Sequence, residues 1–339
     1  MNAGTGRPVA TARLHLLLGV AVSVLFLASI ACGPGGFADP HALAEAAAYP
    51  DSPFAIILRE VRLPRAILGL AVGATMGAGG AALQGLLRNP LAEPALIGVT
   101  ASASLGAVIA FYFGLASTFA YALPLGGMLG ALTAIALIYA LAGRTASTQT
   151  LILAGVAINS LAAALTSLAL NLAPSPYAAA EIVFWLLGAL SDRSFEHVTL
   201  ALPMVLVGGL LLAGTGRALE ALTLGHEVAA TLGVHLGRLQ AQVVLGTGIA
   251  VGAVTSVVGS VGFIGLVVPH LLRPLCGHRP SLLLSTSALG GAALTLAADT
   301  AVRLIGGAQE VRLGVLTALF GAPFFLWLVL ASRKEAPEP

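Results

Sequence analysis

Few residues in this chain have types and spacings that could do chemistry. Ser260 and His270 stand ten residues apart across a glycine-rich stretch, and a serine nucleophile needs such a base beside it. A small residue in a turn and a polar histidine at a helix end account for the same pair. The seven histidines, at 15, 41, 197, 226, 235, 270 and 278, are scattered, so no metal site is expected. A Walker A phosphate loop ends in Gly-Lys-Ser or Gly-Lys-Thr. The only lysine, Lys334, follows Arg333, so the chain carries no such loop, and no cofactor is expected on it.

The elements that must position these residues follow from composition. The 339 residues are 9% charged and 58% hydrophobic, with mean hydropathy +0.98. A soluble domain carries roughly 25% charged side chains, and disorder needs low hydrophobicity with high charge. No two-residue alternation marks a membrane β-barrel. A polytopic, all-α membrane protein remains.

Stretches free of Asp, Glu, Lys and Arg run over 14–38, 66–87, 94–143, 145–180, 197–216, 239–272, 280–298 and 313–332. One span takes about 20 apolar residues. Six stretches hold one helix each, and 145–180 also holds a loop at Leu172–Tyr177. The stretch 94–143 holds two helices broken near Ser117–Pro124, and 239–272 divides at Gly259-Ser260-Val261-Gly262. About ten transmembrane helices are expected, in one domain: a cytoplasmic N-terminus 1–13, a bundle 14–332, a cytoplasmic loop 217–240 and a cytoplasmic tail 333–339. The run Leu14–Ala31 is longer than a signal-peptide core of about 7–15 residues and reads as a true span.

With the N-terminus inside, Arg7, Arg13, Arg88, Arg144, Arg217, Arg238, Arg273, Arg279, Arg333 and Lys334 are cytoplasmic. Arg59, Arg62, Arg65, Arg193, Arg303 and Arg312 are outside. Ten against six obeys the positive-inside rule. The outer face is nonetheless basic. Cys32 and Cys276 fall at opposite ends, so no disulfide is expected. Ala71-Val72-Gly73-Ala74 with Gly80, and Ala250-Val251-Gly252-Ala253 with Gly259, repeat one pattern on helices of opposite direction, as an inverted repeat would.

Three segments break the apolar background. Glu60-Val61-Arg62-Leu63-Pro64-Arg65 lies at the outer mouth of helix 2. Interfacial anchoring fits it, since arginines snorkel. Docking of an acidic partner fits it too, because cations at a helix N-terminus oppose the dipole. Gln84-Gly85-Leu86-Leu87-Arg88-Asn89-Pro90-Leu91-Ala92-Glu93-Pro94 makes a rigid inner turn, either a plain loop or a gate. Arg217–Gln240 reads as two short helices, Ala218–Leu224 and His226–Leu232, split by Gly225 and closed by Gly233.

With Leu153-Ala154-Gly155-Val156-Ala157, Phe184-Trp185-Leu186-Leu187-Gly188, Gly262 through His270, Ala298-Asp299 through Arg303, and Gly314 through Phe325, the chain resembles the FecCD-type permeases of ABC importers over nearly all of 55–332. These permeases import vitamin B12, ferric siderophores and haem. The resemblance implies a type II importer fold and three sets of site residues. Arg62, Arg65 and Arg303, with Arg312 beside them, would grip acidic residues of a periplasmic or lipid-anchored binding protein. Gly225, His226, Glu227, Ala229, Leu232 and Gly233 would form the element that couples to a cytoplasmic ATPase dimer. Asn89, Leu91, Thr148 and Gln149 would form the cytoplasmic gate. Asp299, four residues before Arg303, either positions or neutralises it. Two departures stand out: Arg312 replaces the family's usual proline, and Gln149 stands where a small hydroxyl residue occurs in a relative.

The expected function is the permease subunit of an ATP-driven importer for an iron chelate such as a ferric siderophore, with cobalamin or haem as the alternative cargo. The chain would pair with a second copy in the bacterial cytoplasmic membrane, with both termini cytoplasmic, and would bind no nucleic acid. A conduit of small, weakly polar side chains on the two-fold axis would hold nothing tightly. An ion-coupled secondary transporter is the distant alternative. It would need carboxylates within the membrane or unwound helices with ion-coordinating groups, and the fourteen acidic residues fall at or near helix ends, Asp299 being the most embedded.

Overall fold

A computed structural model describes residues 8–33, 35–119, 121–143, 147–305 and 310–334. Arg7, Arg144 and the end of the tail, which entered the charge argument, lie outside the described residues, as do the side chains of Arg333 and Lys334. The helices in order are α1 Pro8–Ala31, α2 Pro40–Ala48, α3 Pro53–Ile57, α4 Leu63–Leu87, α5 Val99–Tyr112, α6 Leu115–Thr118, α7 Ala122–Ala142 and α8 Thr148–Asn171. There follow α9 Pro176–Leu186, α10 Phe195–Ala213, α11 Gly216–Leu222, α12 His226–Thr231, α13 Leu236–Val258, α14 Ile264–Leu272, α15 Pro280–Ile305 and α16 Leu313–Lys334. A π-helical turn, Leu58–Arg62, joins α3 to α4 without a break. A small hairpin pairs Cys32–Gly33 with Gly36–Phe37.

Helix limits follow local chemistry. Ser52, Ser147 and Ser175 each accept a backbone N–H in the first turn of the helix they cap, and proline follows directly at Pro53 and Pro176, where its missing donor costs nothing. Asp39 and Pro40 do the same for α2. At its other end α4 stops on Arg88, in the left-handed region, before the Asn89-Pro90 step.

Seven helical segments are long and apolar enough to cross a membrane, and Val99–Tyr112, Pro176–Leu186 and Leu313–Leu328 are shorter apolar helices. The all-α polytopic class holds, but the membership of the expected ten changes. The eighth expected helix is only the half-length α14, reached through an extended Gly259–Gly262 segment. Conversely α9, which carries Glu181 inside it, was not foreseen.

Two helices form the centre. The apolar windows of α4 and α13 are each 78% buried, whereas that of α1 is 11% buried. The end of α4 and the start of α13 line one crevice through Leu87 and Leu236, so the two helices run in opposite directions. These are the helices that carry the repeated small-residue pattern. Along α4 the pattern lets α15 approach backbone to backbone: a Cβ on Gly73 would collide with the Gly291 carbonyl, and one on Gly77 with that of Ser287. Along α13, a Cβ on Gly252 would collide with Ala131 of α7. Small residues allow such contact where lipid offers no hydrophobic drive.

The buried apolar side chains fall into two main groups. One, with Leu83, Leu87, Ile135, Leu219, Leu222 and Leu239, lies towards α11 and α12. The other, with Leu68, Met76, Leu190, Val254, Val258 and Leu313, lies towards the start of α4. The functional candidates sit at these two ends.

Candidate functional site

At the arginine end, residues far apart in sequence meet on Asp299. The Arg65 guanidinium donates to both Asp299 oxygens, from Nε at 3.1 Å and from Nη2 to Oδ1 at 2.9 Å. It also donates to both Glu310 oxygens, at 3.2 and 3.0 Å. From one turn further along α15, Arg303 Nη2 lies 2.9 Å from Asp299 Oδ2. Two guanidinium groups therefore face two carboxylates, and the cluster is neutral.

Arg303 is 2% exposed, and its remaining donors reach the Ser29 carbonyl and the Cys32 carbonyl, each at 2.8 Å, and the Ser29 hydroxyl at 2.7 Å. Arg62 Nη1 donates to the carbonyls of Ile30 and Ala31 at 3.1 and 2.8 Å, with its guanidinium 5.1 Å from the Phe54 ring centre. Both arginines thus sit on the C-terminal carbonyls of α1, where a cation is favoured by the helix dipole. This corrects the dipole argument made from sequence: the cost expected at the start of α4 is offset by the end of α1.

The four arginines expected to dock a partner consequently differ. Arg65 and Arg303 are buried with their donors committed. Arg62 and Arg312 are half-buried, and all four arginines, with Phe184 and Glu310, line a cavity of about 670 Å³ open at this end. Arg312 donates to Ser191 Oγ at 3.1 Å and stacks 5.6 Å from the Phe184 ring centre, so it occupies the proline's place by anchoring the segment before α16. Beside it, burial pushes the Arg193 guanidinium down from its ordinary value, Asp192 offsets part of this, and the Arg312 charge adds to it.

The opposite end carries α11 and α12. Gly225, with φ +108°, turns the chain between them, and Gly233 closes α12 at φ +85°. His226, Glu227, Leu232 and Gly233 are exposed, but Ala229 is fully buried. Ala229 was expected among the presenting residues and instead anchors the segment to the core together with Leu219 and Leu222. Leu224, Val228 and Leu232 stand 63%, 44% and 62% exposed, Leu224 on the α11 side of the Gly225 turn and the other two four residues apart along α12, apolar surface open to a partner. Arg279 donates to Glu220 at 2.9 Å and Ser281 donates to the other oxygen, tying α11 to the start of α15.

The expected gate residues lie at this end too, but not in one place. Asn89 Oδ1 accepts the Leu91 backbone N–H at 2.9 Å, which closes a local turn. Thr148 faces a separate crevice of about 400 Å³ with Leu86, Leu87, Leu222 and His226, and Gln149 is exposed.

Ser260 and His270 share no hydrogen bond. The half-helix α14 separates them, and the His270 ring packs edge-on against Phe324 with centres 5.7 Å apart. Sequence reasoning missed Glu310, Ser29 and the pair formed by Gln84 with Arg273, all of them contacts between residues 189 to 274 positions apart.

Comparison with known proteins agrees with this architecture. Residues 18–331 match the FecCD transport family. A cobalamin import system permease, BtuC of Halobacterium salinarum, is 39% identical over 277 residues, covering 81% of this chain and 73% of that one. The hemin transport permease HmuU of Yersinia pestis is 37% identical, covering 81% and 83%. The Fe(3+)-citrate import permease YfmE of Bacillus subtilis is 36% identical over 326 residues, covering 95% and 97%. A solved structure of a metal-chelate type ABC transporter in an inward-facing conformation superposes with TM-score 0.85 at 30% identity, over 94% of this chain and 99% of that one. By its central antiparallel helices, its sequence and its superposition, the chain belongs to the FecCD transport family, the permeases of ABC importers.

Proposed function

We propose that the chain is the membrane subunit of an ATP-driven importer for a ferric siderophore or a related iron chelate. The observation that carries the ATPase partnership is the α11–α12 segment. A short element that exposes Leu224, Val228 and Leu232 between polar neighbours, while Ala229 and Leu222 fasten it to the bundle, suits an apolar groove on a soluble partner. An ATPase dimer seated there would transmit its closure to α13 and α4. At the far end, Arg62 and Arg312 offer partly free guanidinium groups to a substrate-binding protein. Two copies of the chain would enclose the conduit, with the gate formed across the axis by Asn89, Leu91, Thr148 and Gln149. Both termini and α12 would be cytoplasmic, in a bacterial inner membrane.

A ferric chelate is the first choice of cargo because the iron-citrate permease aligns over almost the full length of both chains. Cobalamin is the second reading, supported by the 39% identity of the archaeal cobalamin permease. Uptake by a deletion strain separates them. Labelled iron would be offered as several chelates, then haem, then cobalamin, singly. Loss of ferric-chelate uptake alone, restored by the wild-type gene, is expected. Loss of cobalamin uptake alone would overturn the cargo, and loss of none would overturn the function.

A further inference from the structure

Beside the coupling segment lies a small cavity of about 180 Å³ whose lining is basic. Arg88 reaches it from the end of α4, Arg273 and His278 from the turn between α14 and α15, and Thr223 from the end of α11. No Asp or Glu is among its lining residues. Among the described residues neither Arg88 nor Arg273 forms an ion pair, although Arg59, Arg65, Arg279 and Arg303 all do. One wall is the first turn of α15, Pro280 to Leu283, whose dipole adds positive potential at the N-terminus of a long helix. The Arg273 guanidinium is held by Gln84, and its Nε is buried with no partner.

Arg88 and His278 also adopt left-handed backbone conformations, with φ +49° and +61°. For residues with a Cβ this costs about 1–2 kcal/mol each, and two of the four such residues in the described chain meet at this one cavity.

We propose that the cavity binds one phosphate group, taken from an anionic phospholipid headgroup or from free phosphate. Two guanidinium groups and an imidazole provide N–H donors for a tetrahedral oxyanion, and the start of α15 adds positive potential. A phosphate there links Arg88, next to the Asn89 turn, with Thr223 in the coupling segment. That bridging role rests on the permease reading, whereas occupancy of the cavity does not, so the two fail separately.

The test uses the full-length chain in nanodiscs, with thermal unfolding as the readout. Wild type would be compared with Arg88→Gln/His278→Gln, and with Arg217→Gln/Arg238→Gln as a control that removes exposed charge at the same end outside the cavity. In discs of phosphatidylcholine alone, titrated inorganic phosphate should raise the wild-type midpoint if the source is soluble. In discs containing phosphatidylglycerol, the midpoint should rise without added phosphate if the source is lipid. In either case the cavity variant should need about tenfold more anion or more, and the control should follow wild type. Equal responses of all three proteins, or no response of wild type to either anion, would overturn the proposal.

Discussion

Asp299 carries two guanidinium groups on one carboxylate, buried near the membrane edge, and Glu310 balances the second charge. Removing one member leaves an unpaired buried charge, which costs roughly 3–5 kcal/mol. Asp299→Asn is therefore expected to lower thermal stability by about that amount, read from unfolding in detergent or nanodiscs, and a change under 1 kcal/mol would deny the cluster its structural role. Arg62→Glu/Arg312→Glu should behave otherwise. These side chains are half-buried, so reversal should loosen the contacts to α1 and Ser191 without unfolding the bundle, checked by the unfolding midpoint, while a binding protein loses affinity, measured by surface capture of the loaded protein. Full affinity in that variant would remove docking from this end. Only part of this was legible in sequence. Asp299 and Arg303 are a helical turn apart, so their pairing is local. The link from Arg65 to Asp299, and the use of α1 carbonyls by Arg62 and Arg303, depend on which helices lie side by side, and no local pattern encodes that.

Among the elements, α4 and α15 meet through glycine. Gly291→Leu would drive a side chain into the Gly73 carbonyl, and overpacking of this kind costs about 1–3 kcal/mol. Loss of folded protein, or a lowered unfolding midpoint, is expected, with Gly209→Leu as a tolerated control where a Cβ meets open space. The hold of α15 on α11 is electrostatic. The Ser281 hydroxyl, and then Arg279, hold the Glu220 carboxyl below its ordinary value of 4.5. A lowered folded value means the clasp is complete above about pH 4.5 and is lost as the pH falls through the folded value. The pair is partly exposed, so its worth is at most about 1 kcal/mol. Glu220→Gln at neutral pH should speed amide hydrogen exchange in residues 216–233 and leave α4 unchanged. Helices of this bundle were legible where charge bounded them. The Gly259–Gly262 break was also visible, but not that it leaves only half a helix beyond it. The short helix α9 escaped because Glu181 interrupts its apolar run.

The molecule as a whole is polarised. One end carries arginines around an open cavity, the other exposed apolar surface on short helices, and between them run the glycine-rich α4 and α13, whose charges are Arg65, neutralised at the arginine end, and Arg238, exposed at the other. Asp299 is the most embedded carboxylate and is fully paired, so it is poorly placed to bind and release a transported ion. Long apolar faces on α8 and α16 remain exposed, including Leu153, Leu161, Phe320 and Trp327, and a second copy and lipid would share them. The most direct test of an ATP-driven permease is vectorial uptake in proteoliposomes. The chain would be reconstituted with its ATPase and binding protein, and labelled ferric chelate followed across the membrane. Accumulation that needs the ATPase and ATP, and is abolished by Gly225→Leu/Glu227→Ala, is the result the proposed function predicts. Accumulation by the chain alone, driven by a proton or sodium gradient, would contradict it.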